Sequence, residues 1–302
     1  MSAAFDSVLL IGFGGPTNRE EIRPFLANVT RGRPIPAERL EEVVRHYELI
    51  GGSPFNRLTC RQADALAAEL HSLPVYVGLR NWHPLLRETL AEMSAGGHRR
   101  AVGVILSAQQ TEAGWDRYVA DVEQARAEVG AAAPEVEIAP PWPSHPLYIA
   151  AMADRLRAAL TRLPEAHVVC TAHSVPVSMA KDSAYVGQLE HAANSICAAA
   201  AAPSWSLAYQ SRSGNPRDPW LEPDINDALR ALAARGEREV VVLPIGFVCD
   251  HVEVLYDLGV EAAATAKACG IQLERAETVN DHPQFIRMLA DVVRRTGREG
   301  NG

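Results

Sequence analysis

The stretch "EVVVLPIGFVCDHVEVLYDLGVE" occupies residues 239–261. Its opening, "EVVVLPIGFV" (239–248), is a nearly unbroken apolar run rich in valine. Such a run reads as a strand covered on both faces, the habit of parallel sheets. The chain then changes period. Glu253, Asp257 and Glu261 recur every four residues, which is helical spacing. On a regular α-helix that stripe drifts by about 40° per step, and a single π-type turn aligns it more closely. Like charges at this spacing repel by a few tenths of a kcal/mol, so the helix gains nothing locally from them. In a chain with 37 acidic residues, a solvated acidic face is the plain reading. Two features favour a functional one: the stripe starts directly at a strand end, and His251 lies two residues before Glu253. Carboxylate and imidazole together suit a divalent transition metal such as Fe²⁺.

The same alternation extends along the chain. "SVLLIGF" (7–13), "VYVGL" (75–79), "AVGVILS" (101–107) and "VEIAPP" (136–141) read as strands of one half. "AHVVCTAHS" (166–174), "WSLAYQS" (205–211) and the opening run read as strands of another. Amphipathic segments at 61–73, 83–97 and 146–163 read as helices between them. Strand–helix alternation with continuous apolar strands predicts an α/β protein with parallel sheets covered by helices. The Pro-rich "APPWPSHP" (139–146) is the expected linker. It predicts an N-terminal domain over 1–141 and a second domain over 142–281. A final helix within 282–302 is expected to return to the first domain.

Composition narrows the function. The chain has 302 residues, a formal net charge of −8 and dispersed basic residues, so nucleic acid is not an expected partner. No apolar run is long enough to span a bilayer, and the N-terminal apolar run reads as a first strand, not a signal peptide. A cytoplasmic protein without integral membrane association is expected. The five cysteines are odd in number and lack CxxC spacing, which argues for reduced, mostly buried thiols and against a disulfide framework or a cysteine-bound metal.

In parallel sheets the residues just after each strand are the first place to look for chemistry. "GFGGP" (12–16) is a tight turn into a helix, with Phe13 placed where a ligand face can rest. It matches neither glycine-rich phosphate motif. "TAHSVP" (171–176) puts His173 at a strand's carboxyl end, and imidazole is suited to proton transfer near neutral pH. A lone histidine is otherwise most often structural. Ser174 beside it lacks the G-x-S-x-G context of a hydrolase. "AYQSRSGNPRDPWLEPDI" (208–225) reads as a rigid loop in which Asp218 and Trp220 serve as ligand groups or as anchors.

Together these segments resemble the signatures of the ferrochelatases: "TAHSVP", "QSRSGNPRDPWLEPDI" and "LPIGFVCDHVEVLYDLGVE". "IGFGGPTNREEIRPFLANVTRGRPIP", "HYELIGGSPFN" and "VGLRNWHP" are similar to family segments in the same order, so the resemblance covers nearly the whole chain. It implies two Rossmann-like, doubly wound parallel-sheet domains with an active-site cleft between them. It also implies insertion of Fe²⁺ into a porphyrin, with no permanently bound cofactor. By the resemblance His173 is the active-site histidine, and Glu253 faces it across the cleft, on the other side of the ring. These two are the implied catalytic pair and metal ligands, and Asp257 and Glu261 continue the metal path. Phe13, Tyr47, Ser53 and Tyr118 fall on segments lining the porphyrin pocket, and Arg31 and Arg33 lie where propionates are expected.

Phe13 stands where some bacterial relatives have tyrosine, and "SAQQTEAGWDRY" (107–118) departs from the usual family segment. The segment after "NVTRGR" is polar, and no cysteine cluster or apolar tail closes the chain. Those features resemble the bacterial enzymes that make coproheme from coproporphyrin III, and they imply no iron–sulfur cluster. The resemblance further implies a monomer whose partners are porphyrin, ferrous iron and other heme-pathway enzymes. A protoporphyrin IX ferrochelatase, a chelatase for another metal or tetrapyrrole, and a non-catalytic tetrapyrrole carrier are the alternatives.

Overall fold

The structure is a computed structural model that describes residues 5–31, 35–213 and 217–299. In chain order the regular elements begin with β1 (Ser7–Gly12), α1 (Arg19–Thr30), α2 (Ala37–Leu49), α3 (Phe55–Leu70) and β2 (Val75–Leu79). There follow α4 (Leu86–Ala95), β3 (Arg100–Ile105), a π-helix (Glu112–Asp116), α5 (Arg117–Val129) and β4 (Glu135–Ile138). Next come α6 (Pro146–Leu160), β5 (His167–His173), α7 (Val177–Lys181), α8 (Tyr185–Ala200), β6 (Ser204–Gln210) and α9 (Ile225–Ala234). The chain closes with β7 (Glu239–Pro244), α10 (Val252–Leu255), a second π-helix (Asp257–Ala262), α11 (Ala263–Ala268), β8 (Gln272–Arg275) and α12 (Pro283–Glu299).

The chain divides into two compact units: Met1–Ser107, Glu112–Trp142 and Asp281–Gly302 form one, and Ala108–Thr111 with Pro143–Asn280 form the other. Each holds a four-stranded sheet, in the order β2-β1-β3-β4 and β6-β5-β7-β8. Every strand pairing is parallel. Parallel neighbours require crossovers, and the helices between strands supply them. Both sheets are α/β and repeat one winding order.

Burial follows from the strand sequences. Val240, Val241, Val242 and Leu243 are all fully buried, so β7 is covered on both faces. Val240 and Val242 pack with Leu229, Leu232, Leu258 and Ile271 in the core of the second unit. In the first unit Leu9 and Ile11 meet Leu90, Met93 and Val122. The apolar run of 239–248 is longer than its strand, which ends at Pro244. β8 is the strand the sequence pattern did not predict: "QLER" has a single apolar residue, as a short edge strand beside β7 can.

The winding order decides where a ligand fits. From β5 the chain crosses to β6 on one side and later to β7 on the other, so the order reverses between β5 and β7. A crevice opens outside the carboxyl ends of the strands at such a reversal. His173 ends β5, and the segment carrying His251 and Glu253 follows β7. Among the described residues the cysteines are free thiols; Cys170, Cys197 and Cys249 are buried, whereas Cys60 is exposed.

Candidate active site

His173 is fixed before any substrate is considered. Its Nδ1 makes a short hydrogen bond with the carbonyl oxygen of Ser174. A carbonyl only accepts, so Nδ1 carries the hydrogen and neutral His173 presents a bare lone pair at Nε2. The Tyr185 hydroxyl donates to the His173 carbonyl at 2.9 Å. Burial pushes the Tyr185 phenol well up, so it stays a donor. Ser174 is a structural neighbour: its hydroxyl donates to Leu221 O at 2.9 Å.

Glu253 arrives from β7. Gly246 N donates to Thr171 O at 3.1 Å, holding the β7 exit against β5. A side chain does not fit there, because a Cβ on Gly246 would stand 2.7 Å from Ala172 Cβ. Farther on, Asp250 accepts from Thr278 Oγ1 at 3.1 Å and from Arg275 Nη1 at 3.3 Å. His251 then caps α10: its Nδ1 accepts the Glu253 N–H at 3.2 Å. Burial lowers the His251 pKa and outweighs the opposing pull of Glu253 and Asp250, so the imidazole is neutral and can accept. The Phe247 ring meets it edge-on at 4.6 Å. His251 is therefore a cap first, a role its spacing alone did not reveal.

His173 Nε2 and Glu253 Oε1 stand 3.6 Å apart, with side chains 29% and 32% exposed. This corrects the expectation that the two flank the ring. A flat ring needs van der Waals clearance of about 3.5 Å on each face, so about 7 Å between flanking atoms. The pair stands side by side, on one side of any ring it meets. Two donors at about 2.1 Å from one divalent ion span at most about 4.2 Å, so both atoms can hold the same ion.

The acidic stripe has the winding that the spacing invited. Glu253 sits on α10, whereas Asp257 and Glu261 lie on the second π-helix. The wider turn rotates less per residue and counteracts the drift of the α-helical step. Asp257 accepts a short hydrogen bond from Ser211 Oγ, and Ser211 holds a left-handed φ of 63°. A non-glycine residue in that region is strained, and such residues cluster at functional sites. Glu261 is exposed.

The remaining expected site residues lie in the first unit. Phe13 is 37% exposed and meets Phe25 edge-on at 6.2 Å. Tyr47 is buried against the same Phe25 at 5.8 Å. Ser53 is buried, and its N–H donates to Pro16 O at 2.7 Å. Gly52 beside it has φ 93°, and a Cβ there would stand 2.6 Å from Thr17 O. Tyr118 is buried beneath the Arg80 guanidinium at 4.3 Å. Arg31 grips Asp121 through both terminal nitrogens, at 2.8 and 2.9 Å. Arg80 reaches the same carboxylate with a short contact. Arg33 lies outside the described residues. The sequence reading missed Asp121, which carries no motif, and passed over Arg80 within "VGLRNWHP"; only the folded chain brings residues 31, 80 and 121 together.

The ferrochelatase family model matches residues 6–297. The chain belongs to the ferrochelatase family. Its relatives within that family include the coproporphyrin III ferrochelatase of Mycolicibacterium paratuberculosis, 44% identical over 294 residues, covering 96% of this chain and 87% of that one. The coproporphyrin III ferrochelatase of Nocardia farcinica is 45% identical over 311 residues, covering 96% and 88%. Among solved structures, SirB from Bacillus subtilis with Fe³⁺ matches with a TM-score of 0.63 at 11% identity, over 98% of this chain and 97% of that one. The siroheme-biosynthesis enzyme CbiX matches with a TM-score of 0.56 at 17% identity, over 96% and 98%. At those identities the likeness speaks for the fold. This member of the ferrochelatase family is a metal chelatase whose substrates are a porphyrin and iron, and no helix among the described residues is long and apolar enough to cross a membrane.

Proposed function

We propose that the porphyrin is coproporphyrin III and the product coproheme. The observation that supports the chemistry is the His173–Glu253 pair at 3.6 Å with the imidazole tautomer fixed. Insertion breaks two pyrrole N–H bonds, forms bonds from iron to the pyrrole nitrogens and releases two protons. The His173 Nε2 lone pair and the Glu253 carboxylate are sites that a dication or a proton occupies in turn. The pair holds Fe²⁺ as its water is shed, then takes up protons as the metal passes to the ring. A macrocycle bent toward these atoms exposes its nitrogen lone pairs, so binding that bends it lowers the barrier. Asp257 and Glu261 lead the dication inward along the π-helix, and Phe13, Arg31, Arg33, Tyr47, Ser53 and Tyr118 meet the porphyrin. The protein acts as a cytoplasmic monomer, without a resident cofactor or iron–sulfur cluster, beside other heme-pathway enzymes.

The substrate reading is supported by the relatives at 44% and 45% identity, which are named for coproporphyrin III. Anaerobic Fe²⁺ insertion followed by absorbance tests it. Turnover with coproporphyrin III well above that with protoporphyrin IX is expected. A preference for protoporphyrin IX overturns the substrate, and binding of both without turnover favours a carrier.

A further inference from the structure

We infer that Gln210 is the positioning residue that sets Glu253 against His173. Gln210 ends β6, and the parallel register places it opposite His173. Its main-chain oxygen accepts Ser174 N–H at 2.7 Å, extending the ladder one residue past the histidine. Its side chain is buried, and Nε2 makes a short hydrogen bond to the carbonyl oxygen of Glu253. That oxygen only accepts, so the amide orientation is determined: nitrogen toward Glu253, oxygen away. One residue therefore ties the backbone of Glu253 to the strand that is in register with His173.

The need for such a tie follows from the local fold. α10 is a four-residue turn and cannot fix its own direction. Both peptide groups of Glu253 are instead held by side chains, its N–H by His251 Nδ1 and its carbonyl by Gln210 Nε2. The Gln210 Oε1 is buried with no hydrogen-bond partner among the described residues. Buried amide oxygens are normally satisfied, and a buried apolar side chain of similar size carries no such penalty. The amide nitrogen is thus the bonded end of this side chain, and the oxygen makes no hydrogen bond among the described residues that would hold the amide there instead. The sheet sets β6 against β5 over seven register pairs, so the tie transmits a rigid reference.

This inference rests on the chelatase reading of the His173–Glu253 pair. The test is a double-mutant cycle on full-length protein, reading Fe²⁺ insertion into coproporphyrin III, porphyrin binding and thermal unfolding. Gln210→Met keeps the length and removes the donor. It is expected to lower kcat about tenfold, with porphyrin affinity within about twofold of wild type. In the Glu253→Gln background the same substitution is expected to have little further effect, because residues acting as one unit are not additive. A purely structural role gives the same fold loss in both backgrounds, and that overturns the inference, as does wild-type kcat in Gln210→Met. If Gln210→Met does not fold, Gln210→Asn, which withdraws the amide by one methylene, takes its place in the cycle with the same two outcomes. Wild-type turnover is the reference: its absence overturns the chelatase reading, whereas additive effects on an active enzyme overturn only the role of Gln210.

Discussion

His173 Nε2 and Glu253 Oε1 come within 3.6 Å, one from the end of β5 and the other from α10, which follows the hydrogen-bonded neighbour of β5, β7. The spacing is too long for a shared hydrogen bond and short enough for one ion to touch both atoms. The pair is thus ready for a cation before one arrives.

His173→Ala removes the only lone-pair nitrogen that the pair offers. Iron insertion is expected to fall by about 10²- to 10⁴-fold, the usual range for a positioned acid–base group. Coproporphyrin III binding, read from the porphyrin absorbance, is expected to persist. Wild-type-like turnover would remove His173 from the reaction.

Glu261 lies at the exposed end of the stripe, which makes it the first acid that Fe²⁺ meets on the metal path proposed above. Glu261→Gln is expected to raise the apparent KM for Fe²⁺ by roughly threefold or more, through loss of electrostatic attraction. The maximal rate is expected to fall less. Initial rates across Fe²⁺ concentrations decide this; an unchanged metal dependence makes Glu261 an ordinary solvated acid.

Gly246 sets how closely the β7 exit approaches β5. In Gly246→Ala the new Cβ would meet Ala172 Cβ at 2.7 Å and Ala172 Cα at 2.9 Å, one residue from His173. Overpacking of this kind costs about 1–3 kcal/mol. Urea unfolding is expected to show that loss, and kcat to fall in the folded fraction because the strand carrying His173 is displaced. A variant with unchanged stability and rate would mean that the contact relaxes without moving the site.

Asp121 gives a pH signature. Burial by itself raises its pKa, but hydrogen bonds and charge from Arg31 and Arg80 outweigh this and hold it below the ordinary value of 3.8. A carboxylate depressed in the folded state adds stability that is complete above its unfolded pKa and lost as pH falls through the folded one. In Arg80→Met the carboxylate loses a buried partner, with side chains 8% and 11% exposed, but keeps Arg31. The expected destabilisation is about 3 kcal/mol at neutral pH, the low end for a broken buried pair. Unfolding curves between about pH 6 and about pH 3 are expected to show a shallower acid loss in the variant than in wild type. Parallel curves would assign Asp121 no part in it.

The strands were legible wherever burial on both faces made them continuous apolar runs, as in β5 and β7. β8 was not, because an edge strand needs apolar residues on one face only and "QLER" resembles a loop. Within the candidate site, the placement of His173 at a strand end and of Glu253, Asp257 and Glu261 on one stripe could be read because strand ends and helical spacing are local properties, whereas their roles came only from the family resemblance. The side-by-side arrangement could not, since it depends on the order β6-β5-β7-β8 and on the turn after Pro244. Gln210 was hidden for a related reason. It looks like the polar end of an apolar strand, and its partner Glu253 is 43 residues away in sequence.

Arg31 is already held in place by Asp121. A surface arginine ordinarily samples many rotamers, and immobilising it opposes binding by about 0.5–1.5 kcal/mol. Asp121 already restrains this one through two of its five N–H donors, leaving three directed elsewhere. A carboxylate arriving at the remaining donors would find a guanidinium whose disorder had been removed when the chain folded.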